Sequence, residues 1–267
     1  VELFFILGGG FLMLLLLGAR AGGGERAAAA AGAQRVRGKL DEVFGGEHEY
    51  APARAADFPE ADHGYYQAAT GELTQRGFAA LGDLEDLTLS RAYPALRTYA
   101  RVFVDQGQLI RGGVFHMRTR GVLVGMLQVI RATPRNLRLV EMITESSTGH
   151  VLITTNTGGL DRLDAPPGFA VERLEPSKRP GAVAERHTER LRTWLREHPS
   201  YQPIAMATIE DAIASMQRIN VQLALYRAAK GGLSRDELER IKGGPLTALD
   251  EEFLAHLHVP ARKPAPD

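Results

Sequence analysis

Cysteine is absent from the 267-residue chain, which excludes disulfides, thiol nucleophiles and cysteine-ligated zinc. An excess of either charge is missing too. Lysine plus arginine and aspartate plus glutamate number 32 each, so the chain as a whole is not a basic nucleic-acid binder. Lysine is scarce, 5 of those 32 cations, and the arginine bias is what GC-rich coding produces, which points to a bacterial source. No Walker loop, no GxGxxG after a strand, no GxSxG and no HExxH occurs. These absences do not exclude an enzyme, but they remove any warrant for naming a reaction. What remains, 44% hydrophobic and 24% charged residues, is the balance of an ordinary folded chain.

Residues 3–19 carry no charge. As a helix they reach roughly 26 Å, slightly short of a hydrocarbon core of about 30 Å. Val1, Ala21 and a snorkelling Arg20 close that gap, so a transmembrane anchor is predicted over residues 1–21. The competing reading is a secretory signal cleaved after Ala19-Arg20-Ala21, which would leave a secreted or periplasmic protein. The flank after the run holds Arg20, Arg26, Arg35, Arg37 and Lys39 against Glu25 alone. Positive flanks stay inside, so the expected location is a bacterial inner membrane with the C-terminal bulk cytoplasmic, the lipid bilayer a partner and these cations on its headgroups. Residues 22–62 read as a juxtamembrane stalk and linker: Ala27 to Ala31 favour helix, while Gly45, Gly46, Pro52 and Pro59 leave no sustained period.

Residues 63–259 are expected to form one α+β domain. A short helix over 65–76 precedes strand-like segments at 84–89, 98–104, 108–117, 137–145, 150–155 and 169–174. Close succession without helical crossovers predicts an antiparallel sheet of five or six strands, within about 84–174. From 182 the period changes to that of a helix: Val183, His187, Leu191 and Trp194 recur at four, four and three residues. Further helices are expected at 208–229, opened by Thr208, at 234–243, opened by a capping box, and at 246–257. This C-terminal group of three or four helices spans about 182–258. Strands first and helices afterwards favour a segregated arrangement, and the tail at 260–267 reads as disordered.

The candidates for chemistry are few. Glu141 and Glu145 lie an even number apart on a predicted strand and so share a face. With His187, on the apolar side of its helix, they form the weak catalytic set. Paired acids do general acid–base work when burial splits their pKa values, but more often they answer arginines. Eight arginines between 97 and 138 face only Asp105, and pairing with carboxylates across the sheet accounts for them most simply. Residues 122–130 are apolar except Gln128, with Arg118 and Arg120 before and Arg131 and Arg135 after. A buried strand fits this run best. A segment pressed into headgroups, its arginines on phosphates, fits second. His256 and His258 fall on different faces of a helix, and His48 and His63 lie in an irregular stretch, so no metal and no cofactor is expected. Three functions follow in order: a membrane-anchored, non-catalytic scaffold holding a protein partner through its C-terminal helices; a sensor or carrier binding an apolar or anionic small molecule between sheet and helices; or an enzyme using Glu141, Glu145 and His187. No nucleic acid is expected as a partner.

Overall fold

The computed structural model describes residues 25–118, 136–158 and 163–258. Seven strands form one sheet in chain order: β1 (Tyr50–Pro52), β2 (Phe78–Asp86), β3 (Ala100–Asp105), β4 (Arg111–Arg118), β5 (Asn136–Glu145), β6 (Val151–Thr155) and β7 (Phe169–Arg173). Every neighbouring pair is antiparallel except β6 and β7. The helices of the described residues are α1 (Glu25–Phe44), α2 (His63–Thr74), α3 (Leu87–Ala92), α4 (Pro180–Glu197), α5 (Ile209–Lys230), α6 (Arg235–Lys242) and α7 (Ala248–Leu257).

Local chemistry sets the helix ends. Thr208, Ser234 and Thr247 each open a helix with a reciprocal capping box, using Asp211, Glu237 and Asp250. Gly231 and Gly243 close α5 and α6 in the left-handed conformation, at φ 74° and 72°. Asp86 decides a boundary that hydrophobicity obscures. Its Oδ1 accepts the Leu89 N–H at 2.9 Å, so β2 stops there and the following residues turn into α3.

The sheet is the middle of three layers. On one face α2 and α4 cover Phe103, Val114, Val140, Met142 and Leu152. On the other, α1, α5, α6 and α7 cover Phe115, Leu139, Ile143, Val151 and Ile153. Two covered faces explain why β5 and β6 are buried almost throughout instead of alternating with solvent. Buried Tyr66 ties α2 to the sheet, donating to the Tyr99 carbonyl at 2.6 Å and accepting the His116 N–H at 2.9 Å.

Several expectations need correction. Residues 1–21, the expected anchor, lie outside the described residues. Among the described residues no helix is long and apolar enough to cross a membrane. The described residues therefore form an α+β fold with a seven-stranded sheet and a helical group and no transmembrane element among them, and the inner-membrane location, its cytoplasmic orientation and the bilayer partner are withdrawn. The stretch expected as a stalk is α1, which enters the core through Ala33, Val36, Leu40 and Val43 and packs against α7. Arg37, expected on headgroups, donates to the carbonyls of His256 and Leu257 at the end of α7. Arg35 bonds the Ala31 carbonyl of its own helix, and Arg118 faces Glu60 at 3.3 Å. The side chains of Arg20, Arg26, Lys39, Arg120, Arg131 and Arg135, the apolar run at 122–130 and the tail lie outside the described residues. The sheet exceeds the expected five or six strands because Tyr50–Pro52, read as linker, adds an edge strand where Pro52 is tolerated. The last strand is parallel: Phe169, the first residue of β7, pairs with Val151, the first of β6.

One buried ion pair locks the helical layer. Arg227 and Glu237 are 3% and 0% exposed, with Nη1 to Oε1 at 2.6 Å. Burial opposes the Glu237 charge, but Arg227 and the N–H groups of Ser234 and Asp164 outweigh it and hold the carboxyl below its usual range. Arg227→Met removes the main countercharge and leaves that buried carboxylate with Lys230 at 3.3 Å and two backbone N–H groups, and urea denaturation is expected to show a loss of about 3 kcal/mol. A loss below about 1 kcal/mol is what a solvated pair would give.

Candidate functional site

The three weak catalytic candidates do not meet. Glu141 and Glu145 share a face of β5, as their spacing implies, and that face is the one covered by α5. Both are buried. His187 reaches the opposite face from α4 and sits between two threonines, Nε2 to Thr144 Oγ1 at 3.1 Å and Nδ1 to Thr154 Oγ1 at 2.9 Å. The sheet separates it from the two glutamates. Glu145 is engaged by Arg218 of α5 through two hydrogen bonds of 2.7 Å. A general acid–base set of these three has no common place for a substrate.

His187 is a core residue. Burial, with a smaller contribution from Arg190, pushes its pKa down to about 3 from an ordinary 6.5. Both ring nitrogens are satisfied by hydroxyls that suit a neutral imidazole.

Beside Glu141 the glutamate-bearing face is not filled. A cavity of about 70 Å³ lies between the sheet and α5, bounded by residues of β1 to β5 and by Met216. Its walls include Tyr50, Leu84, Val102, Phe115 and Gly113, with Arg111, Glu141 and Asp86 as the ionisable groups. Gly113 helps to create the space: a Cβ built there meets nothing within 4 Å, whereas one at neighbouring Gly112 meets the Met142 sulfur at 3.1 Å. Asp86 is already held, by the His48 ring at 2.8 Å and by its capping bond. Tyr50 receives the Asn220 amide at 2.8 Å, and burial, with the Asp86 charge second, raises its pKa above the ordinary tyrosine value.

Arg111 is the exception. It is 3% exposed, yet its Nε and Nη2 have no hydrogen-bond partner. Burial lowers its pKa, and Glu141, Tyr50 and Glu145 act against that. A guanidinium so far above neutrality at the outset stays a cation at pH 7. Unmet N–H groups on a buried cation are costly, of the order of 1–3 kcal/mol each. Nearby polar atoms share the condition: Thr155 Oγ1, directly across the strand pair from Glu141, and Ser215 Oγ and Asn220 Oδ1 on the buried side of α5.

Other depressions are larger, and in one of them the charged groups are already paired. One of about 370 Å³ is edged by Pro94, Arg97, His116 and Arg118. There Arg97 is paired with Glu85 and Arg118 with Glu60, and His116 Nδ1 accepts the Asp62 N–H. A groove of about 670 Å³ runs beside Arg37, Leu225 and Leu257. The apolar side chains of α6 and α7 (Leu238, Ile241, Phe253, Leu254 and Leu257) are buried. The large exposed apolar residues of the described chain, Val221 and Leu225, lie on α5. Within the C-terminal helical group, α6 and α7 thus turn their apolar residues inward while α5 exposes Val221 and Leu225; the membrane-anchored scaffold reading is withdrawn because no helix among the described residues is long and apolar enough to cross a membrane. No group of three His, Asp or Glu residues able to hold a metal ion occurs among the described residues.

Sequence reasoning singled out Glu141 but missed Arg111 as a site residue. Its signal was weak: an arginine directly before two glycines, in a strand that also carries His116 and Arg118. The site and fold together describe a three-layer α+β protein with a partly open cavity between the sheet and α5, lined by Arg111 and Glu141. No protein family, no curated protein and no solved structure matches the chain.

The His187 environment makes a pH prediction. As pH falls below 6.5 the unfolded chain protonates this histidine, while the fold refuses the proton until about 3. Stability is therefore lost progressively across that window, by at most about 1.4 kcal/mol per pH unit from this residue. Equilibrium unfolding of the wild type and of His187→Gln is expected to show a shallower acid slope in the variant. Parallel slopes would mean that the imidazole is solvated in the fold.

Proposed function

We propose that the protein is a carrier or sensor that holds a small molecule between the sheet and α5, with a polar head at Arg111 and an apolar body along the facing wall. One observation supports this reading above the others: a buried guanidinium with two unmet donors beside a cavity that its own glycine keeps open. Ligand sites have this composition, mostly apolar walls with a few placed polar groups. Buried polar groups without partners mark places where the structure is completed by something else. The α5 helix lies over the cavity through Met216 and contacts the sheet through Ala212 and Met216. Occupancy would be felt along a helix that also carries the Arg218 and Arg227 pairs, which suits a sensor as well as a carrier.

The test is thermal unfolding of the purified chain against a library of small acids, amides and alcohols. A ligand at 100 times its Kd stabilises by about 2.7 kcal/mol, a rise of roughly 5–10 °C in Tm for a chain of this size. Gly113→Leu, which fills the cavity, and Arg111→Met, which removes the head-binding cation, are each expected to abolish the rise while retaining the fold by circular dichroism. If no compound raises Tm and mass spectrometry under native conditions finds no retained small molecule, the cavity is merely hydrated and the reading falls.

A further inference from the structure

The helix α5 has an inner and an outer side. Inward, Ala212, Met216, Ile219 and Leu223 are buried. Outward, Glu210, Ala214, Arg218, Val221, Leu225 and Ala228 follow one another at four, four, three, four and three residues, and each is exposed. That spacing draws one straight stripe along the helix. Its charges are Glu210 at one end and Arg218, whose guanidinium is taken up by buried Glu145. The rest is apolar: Val221 is 37% and Leu225 66% exposed, four residues apart on the same face. Beside Leu225 the surface falls into the groove of about 670 Å³, where Leu40 and Phe44 of α1 and Ala224 and Ala228 of α5 give apolar walls. A raised leucine and a recess share one patch, and a patch that carries both can complement itself.

We propose that the outer face of α5 is a contact between two copies of this chain, the two helices antiparallel about a two-fold axis between Val221 and Leu225. In that arrangement Leu225 of each copy lies on the partner's Val221, so the exposed apolar residues leave water together. Ala214, Ala224 and Ala228 are small, which lets the helix axes approach closely. Charge favours the antiparallel sense. The first turn of α5 holds Glu210 and Asp211, while Lys230 stands in the last turn with Arg37 beside it in the groove. Reversing one helix brings the acidic end of each towards the basic end of the other, whereas a parallel pair sets like against like. One helix face with its flanking groove buries less than the about 800 Å² per partner of a standard complex, so the association is reversible rather than permanent. The ligand cavity lies on the opposite side of the same helix, so the contact stands or falls without it.

The test is sedimentation velocity of the full-length chain from about 1 to about 300 µM, the range in which a small interface of this kind dissociates. A monomer at the low end and a dimer at the high end are expected. Leu225→Asp, which places a charge on the stripe, is expected to weaken the dimer by about tenfold or more while leaving the Tm of the dilute chain unchanged. Because the chain has no cysteine, an equimolar mixture of Val221→Cys and Leu225→Cys reads the geometry directly. Mild oxidation is expected to give the mixed disulfide, told apart by mass, well above the half that random pairing yields. A monomer at every concentration, association that Leu225→Asp leaves untouched, or a mixed disulfide at or below that half would each overturn the proposal. So would a Leu225→Cys thiol that resists alkylation in the dilute chain, since another segment of the same chain would then already cover the face.

Discussion

Helices press on both faces of strands β4 to β6, so any polar side chain in that sheet enters a layer from which water is shut out. Unpaired donors and charges are expensive there. The protein meets this constraint residue by residue. Thr144 and Thr154 flank the His187 ring. Asn156 accepts the Val140 N–H at 2.8 Å and donates to the Arg138 carbonyl at 3.0 Å. Glu145 is clamped by Arg218 across the sheet–helix boundary. Arg111 departs from that pattern, as Thr155 Oγ1 does: its Nε and Nη2 have no hydrogen-bond partner, and the residue lines the cavity that Gly113 leaves open.

The same constraint separates the functional readings. A membrane-anchored scaffold needs a spanning segment, and no described helix is long and apolar enough to be one; of the C-terminal helices, α6 and α7 turn their apolar residues into the core. An acid–base enzyme brings its titrating groups to one point, but His187 and Glu141 lie on opposite faces of the sheet. A binding protein needs an interior volume with a fixed polar contact, and the layer between the sheet and α5 has both. The arginines divide accordingly. Arg97 and Arg101 meet carboxylates of β2, and Arg138 and Arg218 tie the sheet to the cap of α2 and to α5, while Nε and Nη2 of Arg111 have no hydrogen-bond partner.

Much of the architecture was legible along the chain. Alternating and apolar runs located five of the strands to within a few residues. The capping spacings at Thr208 and Ser234 marked the helices they open, because a cap acts over three residues and is visible locally. Errors arose where a distant partner decides. Leu87 and Leu89 continue an apolar run that reads as strand, but the Asp86 carboxylate ends it. Tyr50 and Pro52 look like linker and become a strand only because β2 offers an edge. The arginines of α1 resemble a headgroup-binding flank, yet Arg37 has the end of α7 to hold, 219 residues away in the chain.

For the site, strand periodicity alone placed Glu141 and Glu145 on one side of the sheet, since the period of two is a property of the backbone. Burial of that side, the position of His187 behind it and the isolation of Arg111 are properties of packing. They depend on which helix lies over which strand, and residues far apart in sequence decide that together. A local pattern reports the direction in which a side chain leaves the backbone; whether anything waits to receive it is known only once the layers have closed.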